Sequence, residues 1–357
     1  VTITAVNDAP VRTAGAVANL TVLEDSGFTS LGFGSVAYSP GGGADESGQT
    51  LSYAVTVVPL SSTGRIYLAD GTTQVTVGSY TLAEIQGMQF KPTANASGVT
   101  AFQFNVSDSG GTADGGSDSI SQFVLITVNA VNDAPTLSAT SLNPTFSEAG
   151  GLGTQAAAVS VFSTAASSTI ESGQRITGLT FTVSGLADGA NEVVVVDGRT
   201  IAMGANGSGT TATNGLAYNS TVSGGTATVV LSGGSLTTAA TQTLVNGIAY
   251  QNIRTDSPTA GSRVVTLTQI KDNGGIANGG LDTTTLLIAS TVTVAAVNDA
   301  PAFANLNGTP AYTEGGAPAV LDADVTLFDA ELSGNDNFSG ATLTLARTGG
   351  ANAQDVF

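Results

Sequence analysis

Phe123-Val-Leu-Ile-Thr-Val128 followed by Val131-Asn-Asp-Ala-Pro135 is a β-patterned run that ends in a turn-forming tetrapeptide. The same five residues recur at positions 6–10 and 297–301, each time after an alternating Val/Thr/Ile stretch. A self-similar join between long β-patterned blocks marks a string of repeats rather than one globule. It divides the 357 residues into the last strand and linker of a preceding repeat (1–10), a first repeat (11–135), a longer second repeat (136–301) and the start of an incomplete third (302–357).

Period-2 runs fill the blocks: residues 51–57, 102–106, 123–128, 179–183, 264–268 and 286–294 all fit strands of a half-buried sheet. Gly/Asp/Asn/Ser turns lie between them, among them 109–111, 187–189 and 272–275. Two segments, 81–86 and 238–245, predict a helical turn leading into a strand. The repeats match beyond the join. Gly87-Met-Gln-Phe90 pairs with Gly247-Ile-Ala-Tyr250, Asp108-Ser-Gly-Gly111 with Asp272-Asn-Gly-Gly275, and Phe146-Ser-Glu-Ala-Gly150 with Tyr312-Thr-Glu-Gly-Gly316. The extra length of the second repeat predicts an added hairpin at 193–196 with a long loop over 204–215. Phe90, Phe102, Phe104, Tyr250 and Phe328 are expected in the core. The expected fold is all-β: tandem antiparallel Ig-like or cadherin-like β-sandwiches in a rod.

Acidic residues number 27 against 9 basic ones, a formal net charge of −18, so nucleic acid and anionic membrane are repelled. With 41% hydrophobic and only 10% charged residues, the chain is nevertheless a folding sequence rather than an acidic tail. No apolar run is long enough to span a bilayer. His, Cys and Trp are absent. That removes imidazole and thiolate chemistry, and only oxygen ligands remain for a metal; they suit Ca²⁺ better than Mg²⁺, which keeps much of its water. Nothing supplies a catalytic cleft or phosphate-binding loop, so no enzyme is expected.

Topology gathers the scattered acids. If each linker enters its sandwich at the top, the loops carrying Asp45, Glu46, Asp108, Asp114 and Asp118 surround Asn7 and Asp8. At the second join, Glu24, Asp25, Asn132, Asp133, Glu171 and Asp272 would converge; at the third, Glu148, Asn298, Asp299, Asp329 and Glu331, with Asp336 nearby. Crowded carboxylates repel, few basic residues are present to neutralise them, and a divalent ion resolves the conflict. The rival reading of Asn-Asp-Ala-Pro is a plain turn. Asp70 and Asp197, each followed by Gly, read as hairpin turns.

The joins, the Glu shortly after the first strand and the Val-Ser-Asp-Ser-Gly-Gly turn at 106–111 resemble the bacterial cadherin-like and Ig-like tandem repeats of giant surface adhesins and biofilm proteins. In that family the linker binds calcium together with acids of the adjoining domains, which carries over to Asn7, Asp8, Asn132, Asp133, Asn298 and Asp299, and to Glu24, Glu148 and Glu314. The resemblance implies an extracellular or cell-surface bacterial protein whose partners are neighbouring repeats of its own chain. A glycan- or protein-binding module, with residues 204–225 as its loops, and a subunit that self-associates into fibres stand as alternatives.

Overall fold

A computed structural model of the protein describes residues 4–150, 155–333, 337–346 and 348–350; Asp336 lies outside them. The chain divides into two compact units, and the division is not a simple cut. The first holds the chain through Ala134 together with the segments 169–174 and 273–282; the second holds the remainder.

In the first unit the strands are β1 (Val11–Ala14), β2 (Leu20–Leu23), β3 (Thr29–Ser30), β4 (Ala37–Ser39), β5 (Ser52–Val57), β6 (Gly64–Tyr67), β7 (Gly78–Tyr80), β8 (Gln89–Pro92), β9 (Gly98–Ser107) and β10 (Ser119–Asn129). One sheet has the order β2-β10-β9-β5-β7, and a second has the order β3-β8-β6, with β1 paired to β4. All pairs are antiparallel except β2, which lies parallel to β10. Alternation explains the sandwich: Phe102, Phe104 and Val106 of β9 and Val124, Ile126 and Val128 of β10 face one core with Ile66 and Phe90 of the opposite sheet. Phe33 packs within it, its ring 5.6 Å from that of Phe104.

Thr81 starts the helix α1 (Leu82–Gln86) through a reciprocal cap with Glu84, and Ile85 anchors it to the core. Asp70 accepts from the amides of Thr72 and Thr73, which makes the expected turn.

The second unit repeats this plan. It contains β11 (Thr136–Ser141), β12 (Thr145–Ser147), β13 (Val159–Ser160), β14 (Phe162–Ser168), β15 (Ile176–Ser184), β16 (Glu192–Val196), β17 (Arg199–Ala202), β18 (Gly207–Thr210), β19 (Ala217–Ser223), β20 (Thr226–Ser232), α2 (Thr238–Asn246), β21 (Ala249–Asn252), β22 (Gly261–Asp272) and β23 (Thr283–Ala295). Its larger sheet runs β12-β23-β22-β15-β20-β19-β18, again with one parallel pair, β12 on β23; the smaller runs β13-β21-β16-β17. The added hairpin is β16–β17, turning at Asp197 and Gly198, both with positive φ. Residues 204–215 are not a long loop. They carry β18, which with β19 extends the large sheet by two strands, because alternating Tyr218 and Ser220 turn inward. Asp197 ties this insertion down, accepting from Thr211 Oγ1 at 2.5 Å and from the amide of Asn214 at 3.0 Å.

A short hairpin of β24 (Ala302–Ala304) and β25 (Thr326–Phe328) follows, then a turn of helix, α3 (Ala330–Ser333). Phe328 corrects the core expectation, being 42% exposed. The hairpin is a two-stranded sheet with no second sheet over it among the described residues, so no core covers the ring.

An unforeseen buried network closes one end of the second unit. Arg263 is 2% exposed; its Nε donates to Glu192 and its Nη2 lies 3.7 Å from Asp188 Oδ2. Tyr250 also donates to Glu192, at 2.8 Å, and burial raises its phenol pKa. Burial works against the Asp188 carboxylate, yet hydrogen bonds from Thr259, Asn252 and Arg254 outweigh it and hold its pKa below the ordinary 3.8. A depressed folded pKa stabilises the fold above the unfolded value, and this contribution disappears as pH falls through the folded one. Replacing Arg263 by Met takes the cation from Glu192 and leaves it only neutral donors, Tyr250 and the amides of Ala187 and Asp188; urea unfolding at pH 7 should show a loss of about 3–5 kcal/mol.

Candidate metal centres

Each join is held through its backbone. In the first, the amide of Asp8 donates to Glu46 Oε1 at 2.7 Å; in the second, that of Asp133 donates to Glu171 Oε1 at 2.9 Å; in the third, that of Asp299 lies 3.3 Å from both oxygens of Glu331. A second set of glutamates holds the valine two residues earlier. Val131 donates to Glu24 Oε1 at 2.6 Å, and Val297 to Glu148 Oε2 at 3.0 Å.

Local structure explains these positions. Glu24 and Glu148 directly follow the strands β2 and β12, and their own amides continue the parallel pairing, on Asn129 and Ala295 carbonyls at 2.9 Å. Glu46 sits in the loop between β4 and β5, where Gly42 leaves room: a Cβ on that glycine would fall 2.3 Å from Glu46 Oε2. Glu171 is presented by a tight turn in which its amide bonds the carbonyl of Thr169 at 2.8 Å, with Ile170 between them at φ 65°. A β-branched residue in that region is strained.

Glu24, Glu46 and Glu148 are all at most 4% exposed. One oxygen of Glu46 and of Glu148 takes a linker amide, and the other, Oε2 and Oε1 respectively, is buried with no hydrogen-bond partner. Glu171 Oε2, Asp108 Oδ2, Asp133 Oδ2, and the amide oxygens of Gln49 and Gln174 share that condition. A buried charged oxygen left unsatisfied is costly. The donor set is carboxylate and amide oxygen throughout, which fits a hard cation.

Electrostatics points the same way. Burial, followed by repulsion from Asp299 and Glu331, raises the pKa of Glu148 against the opposing hydrogen bonds of Val297 and Ser257. Burial, with repulsion from Asp133, likewise raises that of Glu171 against the Asp133 amide.

The gathering is smaller than topology suggested. Among the described residues no group of three or more carboxylates is placed to hold a metal ion, because the glutamates are spaced along the linker by two residues rather than clustered. Asp25 is exposed and holds the amide of Asn95 at 3.0 Å. Asp45, Asp114 and Glu314 are exposed, and Asp118 offers its carbonyl to the Asp108 amide. Asp329 is buried as the cap of α3, its Oδ1 taking the amides of Glu331 and Leu332. Asp272, at the end of β22, is buried and belongs to the second unit. The Asp8 side chain is exposed, so its contribution is its amide. Asn298 is exposed and turned to the Asp299 carbonyl at 2.9 Å. Asn7 and Asn132 instead enter the neighbouring loops, with Gln49 and Gln174 beside them.

Those glutamines were missed by reading the acids alone. Their signal is the shared tetrapeptide Glu46-Ser-Gly-Gln49 and Glu171-Ser-Gly-Gln174.

No family model and no curated protein matches this chain. Among solved structures it is similar to human CDH23 cadherin repeats EC21–23, with 13% identity over 88% of this chain and 84% of that one and a TM-score of 0.32. It is similar to human mucin-like protocadherin EC1–2 at 10% identity, 82% and 98% coverage and a TM-score of 0.28. Drosophila N-cadherin EC1–4 gives 12%, 90%, 59% and 0.21. With TM-scores of this size, the β-sandwich architecture rests on the sheets and registers described above.

A raised folded pKa on a carboxyl means that the native state holds its proton more tightly than the unfolded chain. Stability in a chelator should therefore fall as pH rises from the ordinary glutamate value of 4.5 through the raised values. Thermal unfolding from pH 4.5 to 8 in EDTA checks this: the downward slope should flatten in the double variant Glu148→Gln, Glu171→Gln.

Proposed function

We propose that this chain is a calcium-binding run of adhesive β-sandwich repeats from an extracellular or cell-surface bacterial protein, structural rather than catalytic. One observation carries the reading: at each described join a glutamate gives one oxygen to a linker amide, and a buried glutamate, Glu46, Glu24 or Glu148 in turn, is among those that do so. Glu46 and Asp108 with Gln49 would offer oxygens to an ion at the first join, Glu171 and Asp133 with Gln174 at the second, and Glu148 with Asp299 at the third, no more than two carboxylates at each among the described residues. Bound calcium would supply positive charge to Glu46 Oε2, Glu171 Oε2 and Glu148 Oε1, buried oxygens that take no hydrogen bond.

The chain's own groups do the rest. Glutamates on the Val and Asp amides fix two points of the second and third linkers and one of the first, and the proline that follows fixes φ and disfavours helix in the residue before it. Linkers so held would bend less, and a run of such repeats would project an adhesive end from a surface. Neighbouring repeats are then the first partners. Self-association into fibres and a glycan or protein ligand belong to the same proposal as further partners. Half of the segment 204–225, which a ligand-binding reading would use as its loops, lies in β18 and β19.

Small-angle scattering and calorimetry on the whole chain test this. Chelation should lower the melting temperature and shorten the maximum dimension, and calcium at about a hundred times its Kd should restore about 2.7 kcal/mol of stability. Asp133→Ala should reproduce the chelator's effect in part. Identical scattering and melting with and without calcium would contradict the proposal.

A further inference from the structure

The asparagine of the join has a role separate from cation binding. At the first join Asn7 Nδ2 donates to Ser117 O at 2.7 Å and Asp108 Oδ1 at 3.0 Å, its Oδ1 accepts from Gln49 Nε2 at 2.7 Å, and its carbonyl accepts from the Ser117 amide at 2.9 Å. The second join has the same form. Asn132 Nδ2 donates to Leu281 O at 2.6 Å, and the Leu281 amide donates back to the Asn132 carbonyl at 2.7 Å. At the first join one side chain thus donates through its nitrogen and accepts through its oxygen at once, as the two ends of a carboxamide allow.

The loop is cut to receive it. A Cβ on Gly110 would fall 1.8 Å from Asn7 Oδ1, and one on Gly274 would fall 1.7 Å from Asn132 Oδ1 and 2.6 Å from Gln174 Nε2. A Cβ on Gly116 or Gly280 would sit 3.0 Å from the Cβ of the same asparagines. Gly116 and Gly280 have φ of −64° and −60°, and neither Gly110 nor Gly274 has positive φ, so these glycines answer to close approach and not to backbone conformation. The two loops share the pattern Asp-x-Gly-Gly-x-Ala-x-Gly-Gly-x-Asp, at 108–118 and 272–282. Asn298, with no such loop after it among the described residues, stays exposed with its amide on Asp299.

We propose that Asn7 and Asn132 are latches that dock each linker into a glycine-walled socket without any cation, so that the linker is seated before calcium binds. Asparagine here is a positioning residue. The socket, made of the Gly110/Gly116 or Gly274/Gly280 pair with Gln49 or Gln174, recognises the carboxamide of an Asn-Asp-Ala-Pro segment. The inference does not depend on the calcium reading.

Hydrogen exchange of the Leu281 and Ser117 amides in the full chain, in EDTA and in calcium, separates the two. The latch predicts that both amides stay protected in EDTA. It predicts that Asn132→Ala, Asn132→Asp and Gly274→Ala each lower Leu281 protection about tenfold or more, while Ser117 and the core amides of β9 and β22 are unchanged. Gly274→Ala is read in EDTA, where no cation is bound, so a loss of Leu281 protection there reports the latch and not a cation site. If a variant loses core protection as well, Gly110→Ala read at Ser117 makes the same comparison at the first join. Loss of wild-type protection in EDTA, or retention of it in Asn132→Asp, would overturn the proposal.

Discussion

A linker amide donating to a buried or half-buried glutamate is the contact on which the joins depend. It recurs at Asp8, Val131, Asp133, Val297 and Asp299, with a different glutamate each time. Burying a carboxylate is unfavourable unless it is well paired, and a single amide satisfies only one of two oxygens. The arrangement therefore combines a strong positional restraint with an unmet demand for positive charge. The −18 net charge makes that demand general, since Arg254 and Arg263 already serve Asp188 and Glu192 far from any join residue in sequence.

Two kinds of chemistry then share the join. The asparagine socket is made largely of carboxamide, carbonyl and glycine, with the Asp108 carboxylate accepting from Asn7 at the first join. The glutamates beside it are charged and incompletely satisfied. Burial raises the pKa of Glu148 and Glu171, so the charged part of the join is the part that pH changes. Neither kind of chemistry requires the catalytic groups this sequence lacks.

Much of the fold was legible from alternation. The strands at 102–106, 123–128 and 264–268 appear inside β9, β10 and β22, and both helical turns form behind a Thr N-cap. The second unit's insertion was legible as extra length but not as strands, because Gly207 to Thr210 has no apolar face and pairs only through its backbone. Phe328 was misplaced because hydrophobicity says what a residue prefers, not whether a second sheet is there to cover it. At the joins, sequence singled out Glu24, Glu46, Glu148, Glu171 and Glu331, which the structure puts on the linkers. It could not separate them from Asp25, Asp45 and Asp329, whose carboxylates serve local turns and caps or face solvent. Acid content alone does not reveal which oxygen a backbone amide will claim.

The most direct measurement is anomalous diffraction from crystals of the chain soaked in terbium, a luminescent and anomalously scattering substitute for calcium. The account predicts peaks about 2.3–2.6 Å from Glu46 Oε2, Glu171 Oε2 and Glu148 Oε1. Maps that show ordered water on those oxygens and no peak beside them would contradict it.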